Sequence, residues 1–303
     1  MKMPALHLGA PVQAGPLTVF PVWTDAPLDV KPYRTTLPKT ARVGEQAGGP
    51  SVPQLTVSNP GAVPVLMFEG ALFDGGWQHR VLASSILIGA RSDLEVDVRC
   101  IEQRRWSGGH DQRLSARRAP LAVRGALRGL RHEADRFEAE AGRHSDQGDV
   151  WQRVQHYEQR HGASRTSSLV EVQGGLDRQV EAILAAVRPL PAQRGVLIGV
   201  DGHPALLEVF DHPDTLAAQW DAILASVAMD ALLLPVTVPT PGHRARAFIG
   251  ATMATELQDA GRAGAALAVA GSDRNLVSAR GVATDRLIHA AVVNARHQLV
   301  LAA

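Results

Sequence analysis

Short apolar runs separated by turn residues dominate the first third of the chain. Gly, Pro, Asn and Asp lie between the runs, for example in Ser58-Asn59-Pro60-Gly61. This alternation is typical of strands joined by tight turns. We therefore predict an antiparallel sheet, sandwich-like or barrel-like, over about residues 1–106. The predicted strands are 6–8, 17–22, 55–57, 63–69, 80–88 and 94–102, and 38–53 is predicted to be a loop.

The middle third carries a helical period instead. Val123, Leu127, Leu130 and Ala134 recur at steps of four and three, and similar stripes begin at Val150 and near 169. Such spacing places apolar side chains on one face of a helix. We predict a helical part over about 115–190, and we expect 107–118 and 142–149 to be the least ordered places in the chain.

The last third, about 191–303, mixes both patterns. Asp201-Gly202 separates two apolar runs, 195–200 and 205–210, which predicts a hairpin. A helix is predicted after Pro213, another over 244–258, and closing strands over 265–270, 276–282 and 287–293. The sequence thus predicts an α+β protein with one domain spanning 1–303.

Composition limits the class of protein and the compartment in which it works. Hydrophobic residues make up 45% of the chain and the net charge is +1, so a core can form and no global field recruits nucleic acid or a membrane. Cys100 is the one cysteine, which fits a reducing compartment. No apolar stretch approaches the roughly 20 residues that span a bilayer. We expect a cytoplasmic protein without a membrane partner, and the sequence identifies neither a cofactor nor an oligomeric state.

Two glutamates interrupt apolar strand faces. Glu69 shares its face with Val65 and Met67, and Glu102 continues the face of Val98 and Cys100. A buried carboxylate must be paired, hydrogen-bonded or protonated. One interpretation is a cluster that binds a polar ligand or performs acid–base chemistry, and the other is an ion-pair network that only stabilises the sheet. Metal binding through the two glutamates is not predicted, because no His–carboxylate spacing accompanies them.

Basic residues concentrate in 99–136, which holds ten arginines against four acids. Arg117, Arg124 and Arg128 lie largely off the apolar stripe of their predicted helix. Such a face could follow a phosphate backbone. A solvated helix face is the favoured interpretation, since Trp106 is the one aromatic residue beside it that could stack on a base.

Three segments together resemble a known family: Glu69-Gly70, then Gly75 to Arg80, then Val98 to Trp106. The combination resembles the signature of the ARPP domain, which is named for its association with ADP-ribosylglycohydrolases and rhodanese/phosphatase-superfamily proteins. The similarity extends along almost the whole chain. This sequence departs from the family where Ala71 replaces a second Glu, where His79 replaces Asn and where Arg104 replaces Gly.

The resemblance implies a place near NAD and ADP-ribose metabolism. The expected function is binding or processing of an NAD-derived, ADP-ribose-like phosphorylated ligand, and whether the protein is an enzyme stays open because Ala71 removes an acid. The alternative is a non-enzymatic protein that binds nucleic acid or a partner through the basic stretch. In the expected ligand site, Glu69 or Glu102 accepts hydrogen bonds from ribose hydroxyls or acts as a general base. Arg80 and Arg105 bind the anionic groups, and Gln78 lines the site. Trp77 or Trp106 stacks on a base or sugar.

Overall fold

The computed structural model describes residues 1–46, 53–105, 107–130, 146–273 and 276–301. The strands are β1 (Leu6–Leu8), β2 (Val12–Ala14), β3 (Leu17–Thr24), β4 (Arg42–Gly44), β5 (Gln54–Asn59), β6 (Val65–Met67), β7 (Ala71–Gly75), β8 (Arg80–Leu82), β9 (Ile86–Ile88), β10 (Ser92–Cys100), β11 (Asp111–Arg118), β12 (Gly195–Val200), β13 (His203–Phe210), β14 (Gln258–Ala263), β15 (Ala266–Ser272), β16 (Val277–Ala283) and β17 (Leu287–Asn294). The helices are α1 (Leu121–Leu127), α2 (Asp146–His161), α3 (Leu169–Gly175), α4 (Asp177–Ala185), α5 (Pro213–Ala231), α6 (Gly242–Ala254) and α7 (Gln298–Leu301). The α+β class predicted from the sequence is confirmed.

The N-terminal part contains a closed six-stranded barrel in the order β10-β5-β4-β11-β7-β8. Its core follows the two-residue period of a strand, since Leu55, Val57, Val96 and Val98 are all buried. The predicted run 80–88 is two strands rather than one, because β8 pairs in the barrel whereas β9 pairs with β6 in a separate two-stranded sheet.

Three barrel strands were missed by the sequence patterns, and one of them, β7, lies between the predicted strands 63–69 and 80–88. β4 lies inside the predicted loop 38–53, and β11 lies where the chain was expected to be least ordered. β11 alternates buried and exposed positions only over part of its length, and its register shifts between Leu114 and Arg118. The polar composition of β11 therefore hides the strand from any search for apolar periodicity.

The second sheet has nine antiparallel strands, including the predicted hairpin β12–β13 and the predicted closing strands β15 to β17. Ile198 and Leu206 pack on one face against a cluster that includes α5, whereas Leu197 and Leu207 pack on the other face against α6. Burial on both faces explains why β12 and β13 read as continuous apolar runs. The edge strand β14 is almost wholly exposed and was not predicted.

Helices α1, α2 and α3 pack on the outside of the barrel around Leu72, Val81 and Ile101. The predicted helical stripe after 169 is two helices, α3 and α4, separated at Leu176. Gly174 and Gly175 end α3, and glycine is among the weakest helix formers. The stripe that begins at Val123 is helical as far as Leu127, and its continuation over 131–145 lies outside the described residues. Among the described helices, none has both the length and the apolar character needed to cross a membrane.

Candidate functional site

Glu102 follows β10 and is surrounded by donors from three segments of the chain. Its carboxylate accepts hydrogen bonds from the backbone N–H of His79 at 3.0 Å, from Nε and Nη2 of Arg105 at 3.0 and 2.7 Å, and from the hydroxyl of Thr166 at 2.6 Å. Burial opposes ionisation of Glu102, but the donors of Arg105, Thr166 and His79 outweigh it and hold the pKa below its usual range. Glu102 is therefore an ionised carboxylate whose oxygens already have protein partners.

His79 and Ser168 stand beside Glu102 without forming a nucleophilic relay. Nδ1 of His79 lies 3.0 Å from the hydroxyl of Ser168 and 3.6 Å from Oε2 of Glu102. A relay needs the nucleophile on one ring nitrogen and the acid on the other. Both groups face the same nitrogen here, so this arrangement does not activate Ser168.

Gln78 and Arg80 point into the barrel. Arg80 Nη1 donates to Oε1 of Gln78 at 3.0 Å, Arg80 Nη2 lies 3.8 Å from Glu45, and the thiol of Cys100 donates to the same Gln78 oxygen at 2.8 Å. Burial raises the pKa of Cys100 to about 11, so the thiol is protonated and unreactive at neutral pH. Gln78 and Arg80 are 0% and 1% exposed, which leaves no surface for a ligand from solution.

Glu69 lies in a separate buried cluster, in the turn that follows β6. Its carboxylate binds Nε of Arg124 at 3.1 Å and Nη2 and Nε of Arg128 at 2.9 and 3.1 Å. Burial opposes ionisation, but Arg128 and Arg124 outweigh it and lower the pKa of Glu69 to about 2. Gly70 has a φ of +84°, which favours glycine, and a Cβ at this position would lie only 3.1 Å from Cδ of Arg124. Glycine after Glu69 therefore leaves room for the Arg124 side chain to reach the carboxylate.

The cluster continues into the nine-stranded sheet. Glu208 on β13 accepts from Arg118 at 2.9 Å, lies 3.0 Å from Nη1 of Arg124, and contacts Nε2 of His289 at 3.2 Å. Burial lowers the pKa of His289, so its ring is neutral and Nε2 donates to Glu208. Three arginines against two glutamates leave this buried cluster with one net positive charge. Glu208 and His289 were missed, although each is a polar residue inside an apolar strand, the same signal that identified Glu69.

Among the predicted site residues, Glu69 lies apart from the hydrogen-bonded group of Glu102, Arg105, Gln78 and Arg80. Glu69 and Glu102 share no partner among the described contacts. Arg105 binds Glu102, and Gln78 connects this residue to Arg80, because Nε2 of Gln78 donates to the backbone carbonyl of Glu102 at 2.9 Å while its Oε1 accepts from Arg80. The indole nitrogen of Trp77 is buried without a described hydrogen-bond partner, and Trp106 lies outside the described residues.

The expectation of a solvated face was wrong for two arginines of the basic stretch. Arg124 is 0% exposed and Arg128 is 8% exposed, because each reaches a buried carboxylate in the cluster above. They are unavailable to a phosphate backbone. Arg117 is partly exposed and pairs with Asp177 at 2.7 Å.

A cleft of about 530 Å³ lies where the barrel strands β4 and β11 approach α5. Its charged lining residues are Arg113, Arg117 and Arg118, and its described lining contains no carboxylate. Arg117 and Arg118 lie at the end of β11 where its register shifts, and bulges commonly re-aim side chains beside functional sites. Arg118 also lies over the ring of Phe68, 5.6 Å from its centroid, at the base of the cleft.

Ala71 lies on the wall of this cleft, opposite Arg118 in the β7–β11 register. The position at which the sequence departs from the expected acid therefore faces the arginines. Within the described residues, no group of three or more His, Cys, Asp or Glu side chains is placed to hold a metal ion.

Comparisons with curated proteins and with solved structures found no match. Residues 5–293 match the family model described as the ARG and Rhodanese-Phosphatase-superfamily-associated Protein domain. The match confirms the resemblance carried by the Glu69 and Glu102 segments and covers nearly the whole chain. The protein therefore belongs to the ARPP domain family.

Proposed function

We propose that this protein binds an NAD-derived, ADP-ribose-like phosphorylated ligand in the cytoplasm, with its phosphates in the cleft lined by Arg113, Arg117 and Arg118. The observation that carries the proposal is the charge of that cleft, which is lined by three arginine residues and, among the described residues, by no acid, although Arg117 and Arg118 also pair with Asp177 and Glu208. Guanidinium groups match phosphate oxygens in geometry and form charge-assisted hydrogen bonds. A cavity of about 530 Å³ also falls in the size range of small-molecule sites.

The family name supports the class of ligand, because it associates the domain with ADP-ribosylglycohydrolases and rhodanese/phosphatase proteins. The cleft is also lined by Thr35, Thr36 and Gln219, whose side chains can bind sugar hydroxyls. This lining suits a ligand in which a pyrophosphate is joined to ribose.

Binding rather than turnover is the proposed role of this chain. The cleft has Ala71 where the family usually has an acid. The carboxylates of Glu69 and Glu102 already accept hydrogen bonds from protein donors. In this proposal Glu69 acts by holding the arginines behind the cleft, and Glu102 acts by holding the segments around His79 and Thr166.

Isothermal titration calorimetry with ADP-ribose tests the proposal. We expect Arg113→Gln and Arg117→Gln each to weaken binding roughly ten- to a hundredfold, since a hydrogen bond to a charged group is worth about 1.5–3 kcal/mol. Arg118 is not a suitable variant because it also binds Glu208.

Arg246→Gln provides the matched control, because Arg246 is an exposed arginine on α6 that does not line the cleft. Its affinity for ADP-ribose should equal that of the wild type. No heat with the wild-type protein, or an equal loss in the control, would overturn the proposal.

A further inference from the structure

A second cavity, of about 200 Å³, lies between α4 and α5 and shares residues 116–118 with the arginine cleft as lining. Its walls are mainly apolar, from Val180, Leu184, Ala225 and Met229. The two cavities therefore meet at the bulged end of β11, with Arg117 and Arg118 between them.

One polar atom in this cavity lacks a partner. Oε1 of Gln173 is buried and has no hydrogen-bond partner among the described residues, and Gln173 itself is 4% exposed. Nε2 of Gln173 donates to the carbonyl of Arg118 at 3.0 Å, which fixes the orientation of the amide. Reversing the amide would set two oxygens against each other, so the atom left without a partner on this lining residue is the acceptor.

The charges at the cavity support the same preference for donors. Asp177, Glu181 and Asp221 line it together with Arg117 and Arg118, and Arg117 already pairs with Asp177. The small cavity thus offers acceptors around an apolar wall, whereas the larger cleft offers donors. Two neighbouring cavities of opposite polarity match a ligand with an anionic part and a flat, amino-bearing part.

We infer that the smaller cavity is the subsite for a 6-aminopurine base of the ligand whose phosphates occupy the arginine cleft. The exocyclic amino group donates to Oε1 of Gln173, and the ring lies against Val180, Leu184 and Met229. This assignment rests on the proposed function and extends it, because it names the base that the protein selects. A base with an oxygen at position 6 would place an acceptor against the Gln173 oxygen, and a site built around a hydrogen bond discriminates against such an analogue.

The test compares ADP-ribose with inosine diphosphate ribose, its 6-oxopurine analogue, by calorimetry on the wild-type protein. We expect ADP-ribose to bind at least about tenfold more tightly, the size expected when a buried acceptor is left facing another acceptor. Gln173→Met has similar shape and no acceptor, and it should reduce the ratio of the two affinities toward one. Gln179→Met, at an exposed position on α4, is the matched control and should keep the wild-type ratio.

The outcomes separate the two proposals. Equal affinity of the wild type for both ligands overturns the subsite and leaves the proposed function standing. A wild-type preference that survives Gln173→Met also overturns the role of Gln173. If neither ligand binds the wild-type protein, the proposed function itself is overturned. Because the first comparison uses two ligands on one folded protein, it does not depend on the stability of any variant.

Discussion

Glu102 illustrates how a single carboxylate can join distant parts of the chain. It accepts hydrogen bonds from His79, Arg105 and Thr166, which lie in three separate segments. Each bond to the charged oxygen contributes more than a neutral one would. The local role of Glu102 is therefore to hold these loops together.

Glu102→Gln should reduce the free energy of unfolding by roughly 1–3 kcal/mol, because it leaves Arg105 with a neutral partner in a largely buried place. Urea unfolding measures the loss. Glu95→Gln, at an exposed position on β10, is the control and should change stability little. ADP-ribose affinity should stay at the wild-type value in both variants. A variant of Glu102 that keeps full stability but loses ligand binding would return this residue to the site.

Glu69 should make the protein sensitive to acid. Its pKa is lowered from 4.5 to about 2 in the folded protein, so its contribution to stability is complete above pH 4.5 and is lost as the pH falls toward 2. The loss from this group at pH 3 is about 2 kcal/mol, at about 1.4 kcal/mol per pKa unit.

Urea unfolding of the wild type and Glu69→Gln between pH 6 and pH 3 measures this contribution. The substitution costs roughly 3–5 kcal/mol near neutrality, because it leaves buried Arg124 and Arg128 without their shared carboxylate. The gap between the two proteins should narrow as the pH falls. Parallel curves over this range would show that Glu69 does not titrate as described.

Strand parity was sufficient to place single residues but not to pair them. It predicted that Glu69 and Glu102 point into covered faces, and both are 1% exposed, although Glu69 lies in the turn after β6 and not in the strand predicted over 63–69. It could not identify the partners of Glu69, because Arg124 and Arg128 lie more than fifty residues further along the chain. Glu208, which also pairs with Arg124, is further still. Their burial depends on how the barrel meets the large sheet, which local periodicity does not contain.

At the scale of elements, α1 begins without a cap of its own. Pro120 precedes it and provides no side-chain hydrogen bond, so Asp230 on α5 accepts from the N–H groups of Leu121 and Ala122, and also from the hydroxyl of Tyr157. The four unpaired N–H groups at the start of a helix need such partners. Here one helix caps another, and the capped helix carries Arg124 and, at its end, Arg128.

Asp230 should make stability fall as the pH rises toward neutrality. Burial raises its pKa from 3.8 to about 7, and the hydrogen bonds from Tyr157, Leu121 and Ala122 offset only part of that effect. A raised pKa favours folding fully below pH 3.8, and this contribution is lost as the pH rises through 7. Asn can accept from Leu121 and donate to Tyr157, so Asp230→Asn resembles the protonated acid.

The stability of Asp230→Asn relative to the wild type should therefore increase by about 2.6 kcal/mol between pH 5 and pH 8. Urea unfolding at the two pH values tests this. The sign is opposite to that for Glu69, so the two groups can be distinguished in one experiment. A difference that is constant with pH would show that Asp230 is ionised throughout.

Elements with strong patterns were predicted and elements with mixed patterns were not. The apolar runs of β12 and β13 identified a hairpin correctly, since both faces of that sheet are covered. β11 was missed because it has a bulge, polar ends and one side on the cleft. The strand that contributes the arginines of the proposed binding site is thus among those whose mixed pattern hid their secondary structure.

For the whole molecule, the Glu69 cluster joins the barrel to the nine-stranded sheet. Arg128 donates to the carbonyl groups of Ser278 and Ala291 in that sheet at 2.7 and 3.1 Å while it binds Glu69 beside the barrel. Phe68 also packs edge-on against Phe210, with ring centroids 5.7 Å apart. Polar and apolar contacts therefore cross the same boundary.

We expect the barrel and the large sheet to unfold together as a consequence of this junction. Hydrogen exchange measured by mass spectrometry at increasing urea should give one midpoint for peptides from β10 and from β17, since small cooperative units lose protection as a whole. Glu69→Gln should lower both midpoints, although residue 69 lies in the turn after β6. The reason is that Arg128, which loses its carboxylate partner, also donates to the large sheet. Glu95→Gln, which removes a glutamate from the exposed side of β10, should leave both unchanged. Two separate midpoints in the wild type, or a Glu69→Gln effect confined to β10, would mean that the barrel and the sheet are independent folding units and that the buried cluster only neutralises its own charges.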